Sequence, residues 1–180
     1  MGQLYIVSGP SAVGKDTVFQ HLRERMTVGK VVTVTTRDPR PGEVHGVHYY
    51  FTDIETFRAR IAEGAFAEYN CYTGKYYGTL KEEINRLLGE YAHVIAVLDV
   101  NGATNIKACY PDAVTVFIEP PTVEDLKRRI VARGAETQEQ IDKRLTVALE
   151  ELARKGEFDH CLVNDVAENC ADKLAAILTR

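Results

Sequence analysis

No stretch of this 180-residue chain stays apolar for the roughly 18 residues that a helix needs to cross a bilayer. The opening residues have neither the basic start nor the apolar centre of a secretory leader. Ile6 also stands where a myristoylation signal requires Ser or Thr. A cytoplasmic protein that does not use a membrane is expected. Positive charge is in short supply as well: 22 Lys and Arg face 26 Asp and Glu, a net charge of -4. That balance argues against binding nucleic acid by neutralising a run of backbone phosphates. Small phosphate ligands stay open, because a few local cations suffice for them. The four cysteines, Cys71, Cys109, Cys161 and Cys170, form no C-x-x-C pair and have no histidine at ligand spacing. They are expected to be reduced thiols. His45 and His48 in "HGVH" have no third ligand nearby, so they are expected to serve the loop and not a zinc ion. Repeats and low-complexity tracts are absent.

The rest is ordinary globular material. With 45% hydrophobic and 27% charged residues the chain fits one domain. A chain of this length buries about 70% of its unfolded surface, so neither disulfide nor metal is needed to hold it. Short apolar runs alternate with helical spacing. "LYIVS" (4–8), "AHVIAVLDV" (92–100), "AVTVFIE" (113–119) and "HCLVN" (160–164) suggest buried strands. Helices are expected at about 15–28, 102–109 and 167–179. This alternation predicts an α/β fold of three layers, with a parallel core sheet covered on both faces.

Two segments break the pattern. Residues 33–80 are turn-rich and then tyrosine-rich, which suggests a small antiparallel sheet with one helix at 54–63. Residues 120–144 open on Pro120-Pro121 and hold two cap signals, Thr122 with Asp125 and Thr137 with Gln140. Thr137 is expected to start a helix to about residue 155 with Ile141, Leu145, Leu149 and Leu152 inward. The division is then a core of about 1–32, 81–119 and 145–180, an insertion of about 33–80 and a helical lid of about 120–144.

The segment "SGPSAVGKDT" carries the strongest chemical signal. Gly9, Pro10, Ser11, Ala12, Val13, Gly14 and Lys15 follow the phosphate-loop pattern, between a strand and a helix as the motif requires. Backbone N–H groups and the helix N-terminus would hold phosphates, and Lys15 would reach the β- and γ-phosphates. Asp16 stands where a hydroxyl is usual. Neighbouring helix residues point about 100° apart, so Asp16 need not face the phosphates. A carboxylate in a first helical turn is also favoured by the helix dipole. Thr17 becomes the hydroxyl available to phosphate or magnesium. Further along, Arg37 and Arg40 flank Asp38-Pro39 on a loop that proline stiffens, which suits bidentate capture of a phosphate. Arg129 and Arg133 share a helix face, with Arg144 on the next helix. Alone they suggest a solvated basic face; beside a phosphate loop they suit stabilisation of a transferring phosphoryl group.

Together these segments resemble the guanylate kinase family over essentially the whole chain. The matching stretches are "SGPSAVGK", "TVTTRDPRPGEVHGVHYYF", "GAFAEY" with "GKYYGT", "LDVNGA", "EPPTVEDLKRRIVARG", "DKRL" and "FDHCLVND". The resemblance implies a P-loop kinase that phosphorylates GMP, and dGMP, with ATP and Mg²⁺, acting as monomer or homodimer. It places the GMP phosphate on Arg37, Arg40, Tyr49 and Tyr77, and guanine on Thr33, Glu68 and Thr79. A carboxylate can accept from guanine N1 and N2, a pattern adenine does not offer. The resemblance further implies that Glu43 supports the arginine loop. Lys15, Arg37, Arg129, Arg133 and Arg144 match positions that hold the transferring group. Asn164 matches a position near the ATP base, and Asp99 one near GMP and the metal. Thr17 and Asp99 are the candidate metal oxygens. Two positions depart from the family pattern: Val97 replaces an acid, and Asn101 replaces a glutamine. Alternatives are a ribose 1,5-bisphosphate phosphokinase on the same scaffold, or a non-enzymatic interaction module. The guanine-reading set opposes the first; the retained Lys15, Arg37 and Arg40 oppose the second.

Overall fold

The structure is a computed structural model that describes residues 2–132 and 137–179. In chain order its first half forms β1 (Gln3–Ser8), α1 (Lys15–Arg25), β2 (Gly29–Lys30), β3 (Val34–Thr35), β4 (Tyr50–Phe51), α2 (Ile54–Ala62), β5 (Phe66–Tyr72) and β6 (Lys75–Leu80). There follow α3 (Lys81–Glu90), β7 (His93–Val97), α4 (Val100–Cys109), β8 (Val114–Glu119), α5 (Val123–Ala132), α6 (Gln138–Ala153), β9 (His160–Val163) and α7 (Ala167–Leu178).

The most apolar runs make the central sheet, a parallel array in the order β2-β7-β1-β8-β9. Successive side chains of a strand point to opposite faces. Tyr5 and Val7 of β1 therefore pack with Val18, Phe19 and Leu22 of α1 and with Cys170, Ala171 and Leu174 of α7. Leu4 and Ile6 pack on the other side with Ile84, Leu87 and Leu88 of α3 and with Ala103 and Ile106 of α4. This is the expected three-layer α/β architecture with a parallel core sheet. Because every core strand runs the same way, the segments that follow β1, β7, β8 and β9 all emerge at one edge. Binding sites of open α/β sheets form at that edge.

A second sheet, β4-β3-β6-β5, occupies residues 34–80. It was expected to be antiparallel, and in part it is not: β3 runs parallel to β4, with Val34 opposite Tyr50. The excursion over 36–49 explains this, since parallel neighbours need a crossover of about a dozen residues. Val34, Phe57, Phe66 and Leu80 form its own core, and the Phe57 and Phe66 rings stack with centroids 4.4 Å apart. Phe57→Ala is expected to destabilise this unit by about 3–5 kcal/mol, the usual loss for emptying a buried phenylalanine site. Urea unfolding followed by tyrosine fluorescence would measure it.

Both anticipated caps form. Thr122 Oγ1 accepts from the Asp125 N–H at 3.0 Å. Thr137 and Gln140 exchange a reciprocal pair at 3.3 and 2.9 Å. Helix α6 is turned differently from the expectation, however. Ile141, Leu145 and Leu152 face inward together with the fully buried Ala148, while Leu149 is exposed. One residue along a helix rotates the side chain by about 100°, so Ala148 and Leu149 cannot share the interface. Helix α3 and strand β2 were not anticipated. Tyr76 packs against Phe57, but Tyr69 and Tyr72 are exposed.

Candidate active site

The phosphate loop leaves β1 at the centre of the sheet edge. Gly9 has φ 142°, and a Cβ there would lie 2.1 Å from the Ile118 carbonyl oxygen, so only glycine fits against β8. Gly14, at φ 97°, is the residue before α1; a Cβ on it would meet Asn164 Nδ2 at 2.7 Å. Ala12 is also left-handed, at φ 66°. Strained backbone of this kind collects at ligand sites, where surrounding contacts hold it. Lys15 Nζ donates back to the Gly9 and Pro10 carbonyls, at 2.5 and 3.0 Å. Asp16 is exposed in the first turn, where its charge reaches Lys30 and Tyr49.

Three residues from distant segments brace this loop. Asn164 Nδ2 and Arg129 Nη1 both donate to the Val13 carbonyl, at 2.7 and 3.0 Å. Arg129 Nη2 donates to the Asn164 carbonyl at 3.0 Å, and Arg144 Nη2 donates to Ser11 Oγ at 3.0 Å. Asn164 is 4% exposed, so its side chain works beneath the loop. Beside it opens a cleft of about 300 Å³ lined by Gly14, Thr17, Arg129, Asn164 and Asp165. Arg133 lies outside the described residues.

On the small sheet the second group assembles. Arg37 Nη2 donates to both oxygens of Glu43, at 2.8 and 2.9 Å, and the Arg40 backbone N–H donates to Glu43 Oε2 at 2.7 Å. Glu43 thereby holds the Arg37 guanidinium and the Arg40 backbone, and the Arg37 guanidinium holds its carboxyl below the usual range. The Arg37 guanidinium lies 5.4 Å from the Tyr49 ring centre, and the Tyr49 and Tyr77 rings meet edge-on at 6.2 Å. Burial pushes the Tyr49 phenol upward, so its hydroxyl remains a donor. Arg37, Tyr49 and Tyr77 thus lie together on the small sheet.

Glu68 stands opposite Thr79 in the pairing of β5 with β6, and Thr79 Oγ1 donates to Glu68 Oε1 at 2.6 Å. Burial raises the Glu68 carboxyl, the Thr79 hydroxyl pulls it down, and the Asp99 charge raises it. Thr79 is fully buried and orients the acid. The Thr33 carbonyl accepts from the Tyr50 N–H at 2.9 Å. Asp99 caps α4 through the Gly102 N–H at 2.7 Å. The two departures also have places. Val97 packs against the core cluster of Val7, Val13 and Ile118, and Asn101 Oδ1 accepts from Arg154 at 2.6 Å.

A larger cleft of about 540 Å³ contains none of the anticipated residues. It is lined by Val34, His45, Tyr50, Phe51, Leu80 and Arg86 among others. His45 and His48 accept from the Phe51 and Val44 N–H groups through Nδ1, which is the loop service expected of them. Among the described residues no cluster of three or more His, Cys, Asp or Glu could hold a metal, and no helix is long and apolar enough to cross a membrane.

A family model described as guanylate kinase matches residues 1–180. The chain belongs to the guanylate kinase family. Guanylate kinases of Thermus thermophilus and Thermobifida fusca are 43% and 44% identical over 99% and 98% of this chain, and over 81% and 90% of their own lengths. A solved guanylate kinase from Anaplasma phagocytophilum superposes with a TM-score of 0.76 at 28% identity, covering 99% of this chain and 85% of that one. A shikimate kinase from Bacteroides thetaiotaomicron, at 15% identity and a TM-score of 0.53 over 99% of both chains, shares the fold. Guanylate kinases are nucleoside monophosphate kinases, a class of phosphotransferase. Sequence reasoning did not single out Glu151, which lies on the face of α6 that carries Arg144 and Ala148. The four- and three-residue steps from Arg144 through Ala148 to Glu151 were the available signal.

Proposed function

We propose that this guanylate kinase family member transfers the γ-phosphoryl group of ATP to GMP, and to dGMP, giving ADP and the nucleoside diphosphate. The observation that carries the reading is the Glu68–Thr79 pair, set on the same small sheet as the cluster of Arg37, Tyr49 and Tyr77, which with Arg40 would make the phosphate cup. A sugar phosphate would use the cup and leave a buried carboxylate unmatched; a guanine nucleotide uses both. The Glu68 oxygens accept from guanine N1 and N2, with the Thr33 and Thr79 hydroxyls near the O6 edge. Arg37 and Arg40 hold the acceptor phosphate, with Glu43 orienting the Arg37 guanidinium and anchoring the Arg40 backbone.

ATP lies with its phosphates over Gly9–Thr17 and its base near Asn164. Its γ-phosphorus is then met in line by a GMP phosphate oxygen. No protein nucleophile is required, so positioning and charge neutralisation carry the rate. Lys15, Arg37, Arg129, Arg133 and Arg144 supply the positive charge. The Thr17 hydroxyl and Asp99 are the protein oxygens suited to Mg²⁺. So small a set fits an ion that keeps several waters and is held mainly by substrate phosphates. Bound there, Mg²⁺ would supply positive charge to offset that of the phosphate oxygens. The core, the insertion at about 33–80 and the lid at about 120–144 close around the two nucleotides, excluding water that would hydrolyse ATP. The reaction belongs to cytoplasmic purine nucleotide metabolism.

A coupled ADP-release assay with GMP, AMP, UMP and ribose 1,5-bisphosphate tests this. GMP is expected to exceed each of the others by about a hundredfold or more in kcat/KM, since a site built to hydrogen-bond its substrate rejects analogues that leave buried groups unpaired. Turnover with the sugar alone would overturn the reading, and binding of both nucleotides without turnover would leave an interaction module.

A further inference from the structure

The first turn of α4 stands against Glu68, the acid proposed to read guanine. Ala67, the residue before it in β5, is buried with Ala103 and Ile106 of α4. Cys109 Sγ, at the far end of that helix, donates to the Ala67 carbonyl at 3.4 Å. A Cβ built on Gly102 would lie 3.6 Å from Glu68 Cδ, so a single methyl group would fill the space between the helix backbone and the carboxyl group. Thr79 Oγ1 holds the same carboxyl group from β6, at 2.6 Å. The direction of Glu68 therefore depends on where this turn of α4 sits.

A third element grips that turn. Arg154 is the first residue beyond α6; its Nη1 donates to Asn101 Oδ1 at 2.6 Å and its Nη2 to Thr104 Oγ1 at 3.0 Å. Asn101 and Thr104 are three residues apart and share one face of α4. Gly102 is placed about 100° round the helix from Asn101, on the Glu68 side. The Thr104 hydroxyl gives its own proton to the Val100 carbonyl at 3.0 Å, which leaves its oxygen to accept from Arg154. Glu157 aims the guanidinium: Nε and Nη2 donate to its two carboxylate oxygens, each at 2.8 Å. These four bonds use the planar fork of donors that arginine has and lysine lacks. Asn101 is one of the two departures from the family pattern, and Arg154 is what its amide oxygen meets.

We propose that Arg154 is a positioning residue for guanine recognition: it clamps the first turn of α4 against the Glu68 carboxyl group and so holds that acid at the purine edge. It acts through Asn101, Thr104 and Gly102 and needs no contact with either nucleotide. The inference rests on the ATP:GMP reading.

Arg154→Met keeps an unbranched stem and removes all four bonds, leaving Glu157 half-exposed and able to take water. Asn101→Ala removes one acceptor of the clamp and leaves the pair of Arg154 with Glu157 in place. Steady-state kinetics in the ADP-release assay, run with GMP and with IMP, are expected to show kcat/KM for GMP about tenfold lower in Arg154→Met, mainly through KM. That is within the hundredfold that a misplacement of about 1 Å can cost. IMP lacks the N2 amine and should lose less, so the GMP-to-IMP preference narrows, while the KM for ATP stays close to wild type. Arg154→Lys should resemble the Met variant, because lysine cannot form the fork. The losses in Arg154→Met and Asn101→Ala should not add, since both act on one contact. Rates are normalised to the folded fraction at the assay temperature; if Arg154→Met does not fold, Asn101→Ala with the same two substrates decides. An unchanged GMP-to-IMP preference, full activity in Arg154→Lys, or additive losses would overturn the proposal. Failure of the unsubstituted protein to phosphorylate GMP would defeat the activity reading itself, an outcome distinct from all of these.

Discussion

Replacing Lys15 with methionine is expected to lower kcat/KM for ATP about a thousandfold, or about 4 kcal/mol of transition-state stabilisation. Methionine keeps the unbranched stem and removes only the ammonium. Charge develops on the oxygens of the transferring group, and Lys15 is the cation held inside the phosphate loop, within 2.5 and 3.0 Å of the Gly9 and Pro10 carbonyls. Other cations do not replace it. Arg129 is spent on the Val13 and Asn164 carbonyls, and Arg144 reaches Ser11 from another helix. The proposed acceptor cup draws on Arg37, Tyr49 and Tyr77 of the small sheet and not on the phosphate loop, so GMP affinity by calorimetry should change little. A methionine variant within tenfold of wild type would mean that the loop does not hold the transferring group.

Glu68→Gln should act on the other substrate. The amide retains one acceptor and presents an N–H₂ group where guanine also donates, so one charge-assisted hydrogen bond is lost and a donor faces a donor. Hydrogen bonds to charged groups contribute about 1.5–3 kcal/mol each, so kcat/KM for GMP should fall about a hundredfold. IMP lacks the N2 amine and should lose less, which narrows the GMP-to-IMP preference. The substitution is nearly isosteric, and Thr79 Oγ1 can still donate to the remaining carbonyl in place of Glu68 Oε1. Stability is therefore not the expected casualty. Equal losses for GMP and IMP would show that Glu68 does not reach the N2 side of the base.

Legibility varied with distance along the chain. The strand, loop and helix of residues 3–25 lie together in sequence, so the phosphate loop was recognisable from its own residues. The caps at Thr122 and Thr137 are three-residue events and formed as anticipated. Arg37 and Arg40 stood out from their own loop, whereas Glu68, Thr79, Tyr49 and Tyr77 came from family resemblance, since nothing in "AEYN" by itself distinguishes a guanine-reading acid from a surface one. Helix α3 escaped notice, although Ile84, Leu87 and Leu88 sit at helical spacing, because it follows β6 directly. Leu149 was expected inside because leucine is larger and more apolar than alanine. The contact with Ala12 instead requires a small side chain, and Ala148 supplies it.

The order of apolar runs and the glycines of one short loop were enough to determine a three-layer α/β fold with a phosphate-loop motif at the carboxyl edge of its parallel sheet. Tertiary structure alone decided which groups meet there. Arg144 reaches Ser11 across 133 positions, and Asn164 reaches Val13 across 151. It also decided that Val97 packs against the core and that Asn101 is taken by Arg154. The physical reason is that helical and strand periodicities fix a side chain's direction within its own element, whereas convergence depends on how whole elements pack.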